Sequence, residues 1–86
     1  MKTAEIVLTF PNARNALSGE KALGDAGVAV RVMSRPSVLG EGCGICLRTD
    51  EDNRDRTVLI VNEAGIEVEA IFLMTRTNGK SEYTRL

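Results

Sequence analysis

The segment Ala26-Gly27-Val28-Ala29-Val30 has an echo later in the chain, Ala64-Gly65-Ile66-Glu67-Val68, and this pair sets the expected architecture. The two glycines stand 38 residues apart, at positions 27 and 65. In each copy the glycine suits the left-handed backbone conformation that commonly ends a helix. The apolar residues after it alternate as in a half-buried strand. The echo therefore predicts two successive β-α-β units.

The first unit begins with residues 5–10, whose β-branched side chains predict a strand that Pro11 ends. Asn12 is the expected N-cap of the first helix. In residues 28–33, valines alternate with Ala29, Arg31 and Met33, which predicts a half-buried second strand. The helix between these strands has apolar residues at three- and four-residue spacing, namely Ala13, Ala16, Leu17, Ala22, Leu23 and Ala26.

The second unit follows a loop over residues 34–44. Residues 45–48 predict a short third strand, residues 54–64 a second helix, and residues 67–74 a fourth strand. This order of elements is typical of an α+β, ferredoxin-like βαββαβ sandwich, in which two helices cover one face of a four-stranded antiparallel sheet.

Strand alternation assigns the apolar side chains to the two faces of that sheet. Those expected beneath the helices are Ile6, Leu8, Phe10, Val28, Val30, Val32, Val68, Ala70 and Phe72. Those expected on the opposite, uncovered face are Val7, Ala29, Met33, Ile71 and Leu73. An uncovered apolar face is expected to bind a partner or a second copy in a homodimer, although scattered apolar residues on a surface are also ordinary.

The chain of 86 residues is long enough for one domain, expected over residues 1–76. Residues 77–86 are expected to be a polar tail or, because Asn78-Gly79 favours a hairpin turn, a short extra strand. The net charge of −1 and the three aromatic side chains give no basis for binding nucleic acid. No apolar run is long enough for a membrane span or a signal peptide, which predicts a cytoplasmic protein.

Both cysteines fall in a glycine-dense segment, as Cys43-x-x-Cys46. A structural zinc site needs about four ligands, and the chain offers two thiols and no histidine. We therefore expect no metal within one chain and no bound cofactor; only a site shared between subunits would change this. A redox dithiol normally begins a helix, whereas residues 45–48 are predicted to be a strand, so a dithiol remains an alternative only if the loop curls.

A third interpretation makes Cys43 an exposed nucleophile at the tip of the loop, with Cys46 as an auxiliary thiol. Gly42 and Gly44 would leave Cys43 accessible and could direct backbone N–H groups toward an anion. Arg35 and Arg48 could add positive potential that favours a thiolate. In the alternative interpretation the glycines only permit a tight turn, and both cysteines are inert small apolar residues.

Four motifs carry a resemblance that spans nearly the whole chain. They are Val7-Leu8-Thr9-Phe10, Ala16-Leu17-x-x-Glu20-Lys21-x-Leu23, Ala26-Gly27-Val28-x-Val30-Arg31 and Cys43-Gly44-x-x-Leu47-Arg48. Together they resemble a family of small bacterial proteins described as selenium/sulfur carrier-like, formerly a domain of unknown function. In that family the Cys-Gly pair is the marked position, and here it falls on Cys43-Gly44. Glu41 departs from the small residues usual in that loop, and its charge would oppose thiolate formation.

The resemblance implies a carrier rather than a turnover enzyme, with Cys43 accepting sulfur or selenium as a persulfide or selenide equivalent. Its partners would be donor and acceptor proteins of intracellular sulfur or selenium trafficking. The alternative function is a non-catalytic ferredoxin-like interaction module, in which Arg31 and Arg48 on the open sheet face would bind a small anion. A dithiol redox protein is a third possibility.

Overall fold

The computed structural model describes residues 4–40 and 42–86. These residues form two helices and five strands, with two short 3-10 turns over Ser37–Leu39 and Glu51–Asn53. In chain order the elements are β1 (Ala4–Thr9), α1 (Ala13–Asp25), β2 (Arg31–Ser34), β3 (Ile45–Asp50), α2 (Arg54–Glu63), β4 (Ala70–Thr77) and β5 (Lys80–Arg85). The α+β class is confirmed.

The strands form one sheet in the order β2-β3-β1-β4-β5, and every pair of neighbours is antiparallel. The expected number of four strands is wrong, because residues 80–85 pair with β4. The hairpin between them turns at Asn78 and Gly79, which both have positive φ, 53° and 79°. In a two-residue hairpin loop, positive φ at both residues gives the turn a twist that matches the twist of the flanking strands.

The two echoed glycines have the same structural role. Gly27 has φ of 83° and Gly65 has φ of 68°. In each copy the next N–H reaches back to the helix: Val28 donates to the Leu23 carbonyl at 2.9 Å, and Ile66 donates to that of Val61 at 3.0 Å. These bonds satisfy carbonyls at the helix ends. The repeat predicted from the sequence is thus present in the hydrogen bonding.

The first helix starts as expected, because the Asn12 side chain accepts a 2.9 Å hydrogen bond from the Asn15 N–H. The two helices contact each other and pack on the same side of the sheet. The residues fully within this helix-side core are Ile6, Leu8, Phe10, Ala16, Leu23, Val28, Cys43, Leu47 and Val61. Neither helix in the described part of the chain is both long enough and apolar enough to cross a bilayer.

The opposite face of the sheet has its own apolar cluster, which we call the second core. It consists of Val7, Leu39, Cys46 and Met74, with Met33, Phe72 and Tyr83 packed against it. The expectation of an uncovered face is wrong for this part of the sheet, because Leu39, from the loop between β2 and β3, packs over it; the part that carries Arg31 and Arg48 is not covered by this loop.

The faces of the fourth strand also differ from expectation. Phe72 belongs to the second core and Ile71 packs against the helix-side core, the reverse of the prediction. Residues 66–69 are not a strand, although the Glu69 N–H donates a 2.8 Å hydrogen bond to the Thr9 carbonyl. Because regular alternation begins only at Ala70, Val68 and Ile71 both reach the helix side.

Candidate functional site

The loop between β2 and β3, residues 35–44, carries most of the candidate site. Its base is closed by a 3.0 Å hydrogen bond from the Arg35 N–H to the Gly44 carbonyl. Gly40 and Gly42 have φ of 95° and 133°, values that other residues adopt only with strain. Of the two glycines predicted to shape this loop, Gly42 adopts such a conformation and Gly44 does not.

The Arg35 side chain lies inside the loop and is only 5% exposed. Its Nη2 donates to the Leu39 carbonyl at 2.6 Å and to the Glu69 carboxylate at 2.5 Å. A Cβ at Gly40 would lie 3.3 Å from Nη2, and one at Gly42 would lie 3.4 Å from Nη1. The two glycines thus leave the room that the guanidinium occupies.

Two nitrogens of the Arg35 guanidinium, Nε and Nη1, are buried and have no hydrogen-bond partner within residues 4–40 and 42–86. Buried donors of this kind are uncommon, because each loses its hydration without compensation. The free N–H groups of a guanidinium cation can bind an anion through charge-assisted hydrogen bonds.

Glu69 completes the anchor of Arg35 and was not expected in the site. The hydrogen bond from Arg35 is the main reason why the pKa of the Glu69 carboxyl lies below its usual value. Ionised Glu69 therefore holds the guanidinium in place at neutral pH. No local signal in the sequence links the two residues, which are 34 positions apart.

Cys43 is buried, at 7% exposure, and belongs to the helix-side core together with Phe10 and Leu47. The expectation that it stands exposed at a loop tip is wrong. Since the loop is closed at Gly44 and held from within by Arg35, its C-terminal end packs against the sandwich instead of projecting into solvent.

Cys46 is fully buried, at 0% exposure, on the opposite side of the sheet in the second core. Burial is the main reason why the pKa of the Cys46 thiol is raised. The positive charges of Arg35 and Arg48 lower this pKa, and the negative charge of a Cys43 thiolate would raise it further. The positive potential expected beside Cys43 is thus found at Cys46, where desolvation outweighs it.

Arg48 was expected to stabilise an anion beside the cysteines. It lies on β3 with its Nη1 3.8 Å from the Glu5 carboxylate. It shares a sheet face with Cys46, because residues two apart on a strand point the same way. Both cysteines are free thiols. No three histidine, cysteine, aspartate or glutamate side chains form a metal-binding group in the described part of the chain, and Glu41 lies outside it.

The family model for putative Se/S carrier protein-like sequences matches residues 5–73 of the chain. The chain belongs to this family. The match covers Arg35, both cysteines and Glu69, so all parts of the candidate site lie within the Se/S carrier-like region. It ends before β5, so the fifth strand lies beyond the matched residues. No curated protein and no solved structure is significantly similar to the chain.

Proposed function

We propose that this protein carries sulfur or selenium between a donor and an acceptor protein in the cytosol, with the Cys43 thiol as the point of attachment. The family assignment supports a carrier. The first four strands, in the order β2-β3-β1-β4 with both helices on one side, support a ferredoxin-like assignment with β5 added at the edge.

The observation that carries this proposal is the buried Arg35 guanidinium, which has two unpartnered nitrogens among the described residues and lies against the glycine loop that bears Cys43. A persulfide is anionic near neutral pH, and a fixed cation with free donors stabilises such an anion. Gly42 and Gly44 flank Cys43 without side chains that would block it, and Arg48 adds positive charge on the opposite face of the sheet.

Cys43 fits the role better than Cys46 because of where each lies in the backbone. Cys46 is in β3, which is hydrogen-bonded to β1 on one side and β2 on the other. Exposing Cys46 would disrupt the sheet. Cys43 lies in the loop before β3 and is 7% exposed, so opening residues 42–44 would bring it to the surface while the sheet stays paired.

The transfer needs two displacement steps and no net oxidation. The Cys43 thiolate attacks the outer sulfur of a donor persulfide; the new S–S bond forms as the donor's S–S bond breaks, and the donor leaves as a thiolate with the electron pair. In the second step an acceptor nucleophile attacks the outer sulfur, and Cys43 leaves as the thiolate. A selenium cargo would follow the same course with an S–Se bond.

The test is to incubate the full chain with a cysteine desulfurase and cysteine, and separately with a small-molecule persulfide, and to measure intact mass. We expect one added sulfur on the wild type and on Cys46→Ser, and none on Cys43→Ser. A gain that persists in Cys43→Ser and disappears in Cys46→Ser would move the site to Cys46. No gain with either donor would overturn the proposal.

The burial of both thiols favours one alternative, a non-catalytic interaction module. Thiol labelling of the native protein separates the two. A carrier must open its loop, so one thiol should react at a rate faster than global unfolding allows; in a module both should react only through unfolding.

A further inference from the structure

A pocket of about 230 Å³ lies on the sheet face opposite the helices, lined by Glu5, Arg31, Arg48, Met74 and Arg76. Three of these five residues are arginines and one is a glutamate. The register explains how they meet: Arg31 on β2 is the strand partner of Arg48 on β3, and Glu5 on β1 is the partner of Met74 on β4.

The arginines of this pocket outnumber the carboxylates that neutralise them. Glu5 accepts a 2.6 Å hydrogen bond from Arg31 Nη2, and its other oxygen is 3.8 Å from Arg48 Nη1. Arg76 has no ion pair within the described part of the chain, and Asp50, the strand partner of Glu5, does not line the pocket. The lining therefore has two positive charges in excess.

Arg48 provides a donor that faces no partner. Its Nε is buried and makes no hydrogen bond to any described residue. Like charges directly opposite each other on neighbouring strands, such as those of Arg31 and Arg48, destabilise a sheet. The single carboxylate of Glu5 cannot neutralise all three guanidinium groups of the pocket. An anion bound in the pocket would relieve this repulsion.

We propose that this pocket binds a tetrahedral oxyanion with two negative charges, such as a phosphate or sulfate group. Two charges match the excess of two positive charges. Guanidinium groups bind such anions with charge-assisted, often paired hydrogen bonds. Since a water molecule takes about 30 Å³, the pocket has room for a small oxyanion with water around it. The site uses neither cysteine, so it can be tested separately from the proposed carrier function, although Arg48 has a part in both.

The test is an NMR titration of the full chain with inorganic phosphate, following the Arg Nε signals at constant ionic strength set with chloride. We expect saturable shifts of Arg31, Arg48 and Arg76. Arg31→Gln and Arg76→Gln should each weaken binding by about tenfold, the loss of one charge-assisted contact. Glu5→Gln should strengthen it, and Arg14→Gln on α1, a matched control outside the pocket, should leave it unchanged.

A second series with sulfate and with glycerol phosphate distinguishes a free ion from a phosphate group on a larger molecule. Similar affinities indicate a free oxyanion, and at least tenfold tighter binding of the ester indicates a phosphate monoester; both support the site. Linear shifts that do not saturate, or an equal loss of binding in Arg14→Gln, would overturn it. Cys43→Ser should bind phosphate as the wild type does, so failure of the carrier test leaves this result intact.

Discussion

The Arg35 guanidinium donates a 2.5 Å hydrogen bond to the Glu69 carboxylate, and this contact ties the cysteine loop to the chain that enters β4. Arg35 also holds the loop from within through the Leu39 carbonyl. This ion pair therefore adds to the contacts that keep the loop closed and Cys43 buried.

Glu69→Gln should loosen this loop. The amide loses the charge that holds Arg35, so we expect Cys43 to react severalfold faster with a thiol reagent in the native protein. Glu67→Gln is the matched control, because Glu67 is an exposed acid two residues away whose side chain forms no ion pair with a described residue. Equal rates in the two variants would contradict the role of Glu69.

The same pair predicts a dependence on acid. The pKa of Glu69 is lowered in the folded protein, so its contribution to closure is complete above the ordinary glutamate value of about 4.3 and is lost as the pH falls through the lower folded value. The Cys43 labelling rates of the wild type and of Glu69→Gln, measured with a reagent active in acid, should therefore become equal as the pH falls through that range.

The two cysteines lie in different cores on opposite sides of the sheet. We therefore expect mild oxidation of the native protein to give no internal disulfide, since both sulfurs would have to leave their cores to meet. Mass spectrometry after alkylation tests this, with urea-unfolded protein as the positive control. A reversible internal disulfide in the native state would favour the dithiol redox alternative.

Cys46 should make the stability of the protein fall in alkali. Burial raises the pKa of its thiol, so the unfolded chain releases this proton at a lower pH than the folded one. Stability is complete below the unfolded thiol pKa of about 8.5 and declines as the pH rises above it. Urea unfolding across this range should show a smaller decline in Cys46→Ala than in the wild type.

The glycines on either side of Cys43 should differ in their tolerance of a side chain. Gly42 has φ of 133°, and a Cβ there would lie 3.4 Å from Arg35 Nη1. Gly42→Ala should cost about 1–3 kcal/mol. Gly44 has no heavy atom within 4 Å of an added Cβ, so Gly44→Ala should change the unfolding free energy by less than about 1 kcal/mol. Similar losses in urea unfolding would contradict this distinction.

Two buried threonines give opposite predictions for the same substitution. The Thr57 hydroxyl on α2 is buried and has no partner among the described residues, so Thr57→Val should stabilise the protein by about 1 kcal/mol. The Thr49 hydroxyl donates to the Ala29 carbonyl at 2.7 Å and accepts from Asn53 at 3.0 Å. Thr49→Val should therefore destabilise by about 1–3 kcal/mol, because it leaves those partners unpaired. Thermal unfolding of both variants tests the contrast.

The repeat around Gly27 and Gly65 made the order of elements readable from the sequence, because helix ends and strand alternation are local signals. The phase of β4 was not readable, since the bond from the Glu69 N–H to the Thr9 carbonyl replaces regular strand pairing before Ala70. The burial of Cys43 depends on Arg35 and Glu69, which are far apart in the chain. Local patterns carry no information about such contacts, so glycine density alone suggested an exposed thiol.

The hairpin through Asn78 and Gly79 changes what the sheet offers to other chains. Without β5, the eight-residue β4 would be an edge strand. Its unpaired backbone N–H and C=O groups could then pair with a strand of another chain. The border is instead β5, whose charged side chains Lys80, Glu82 and Arg85 are exposed. The other border, β2, is only four residues long. Both edges of the sheet therefore disfavour edge-to-edge aggregation through backbone hydrogen bonds.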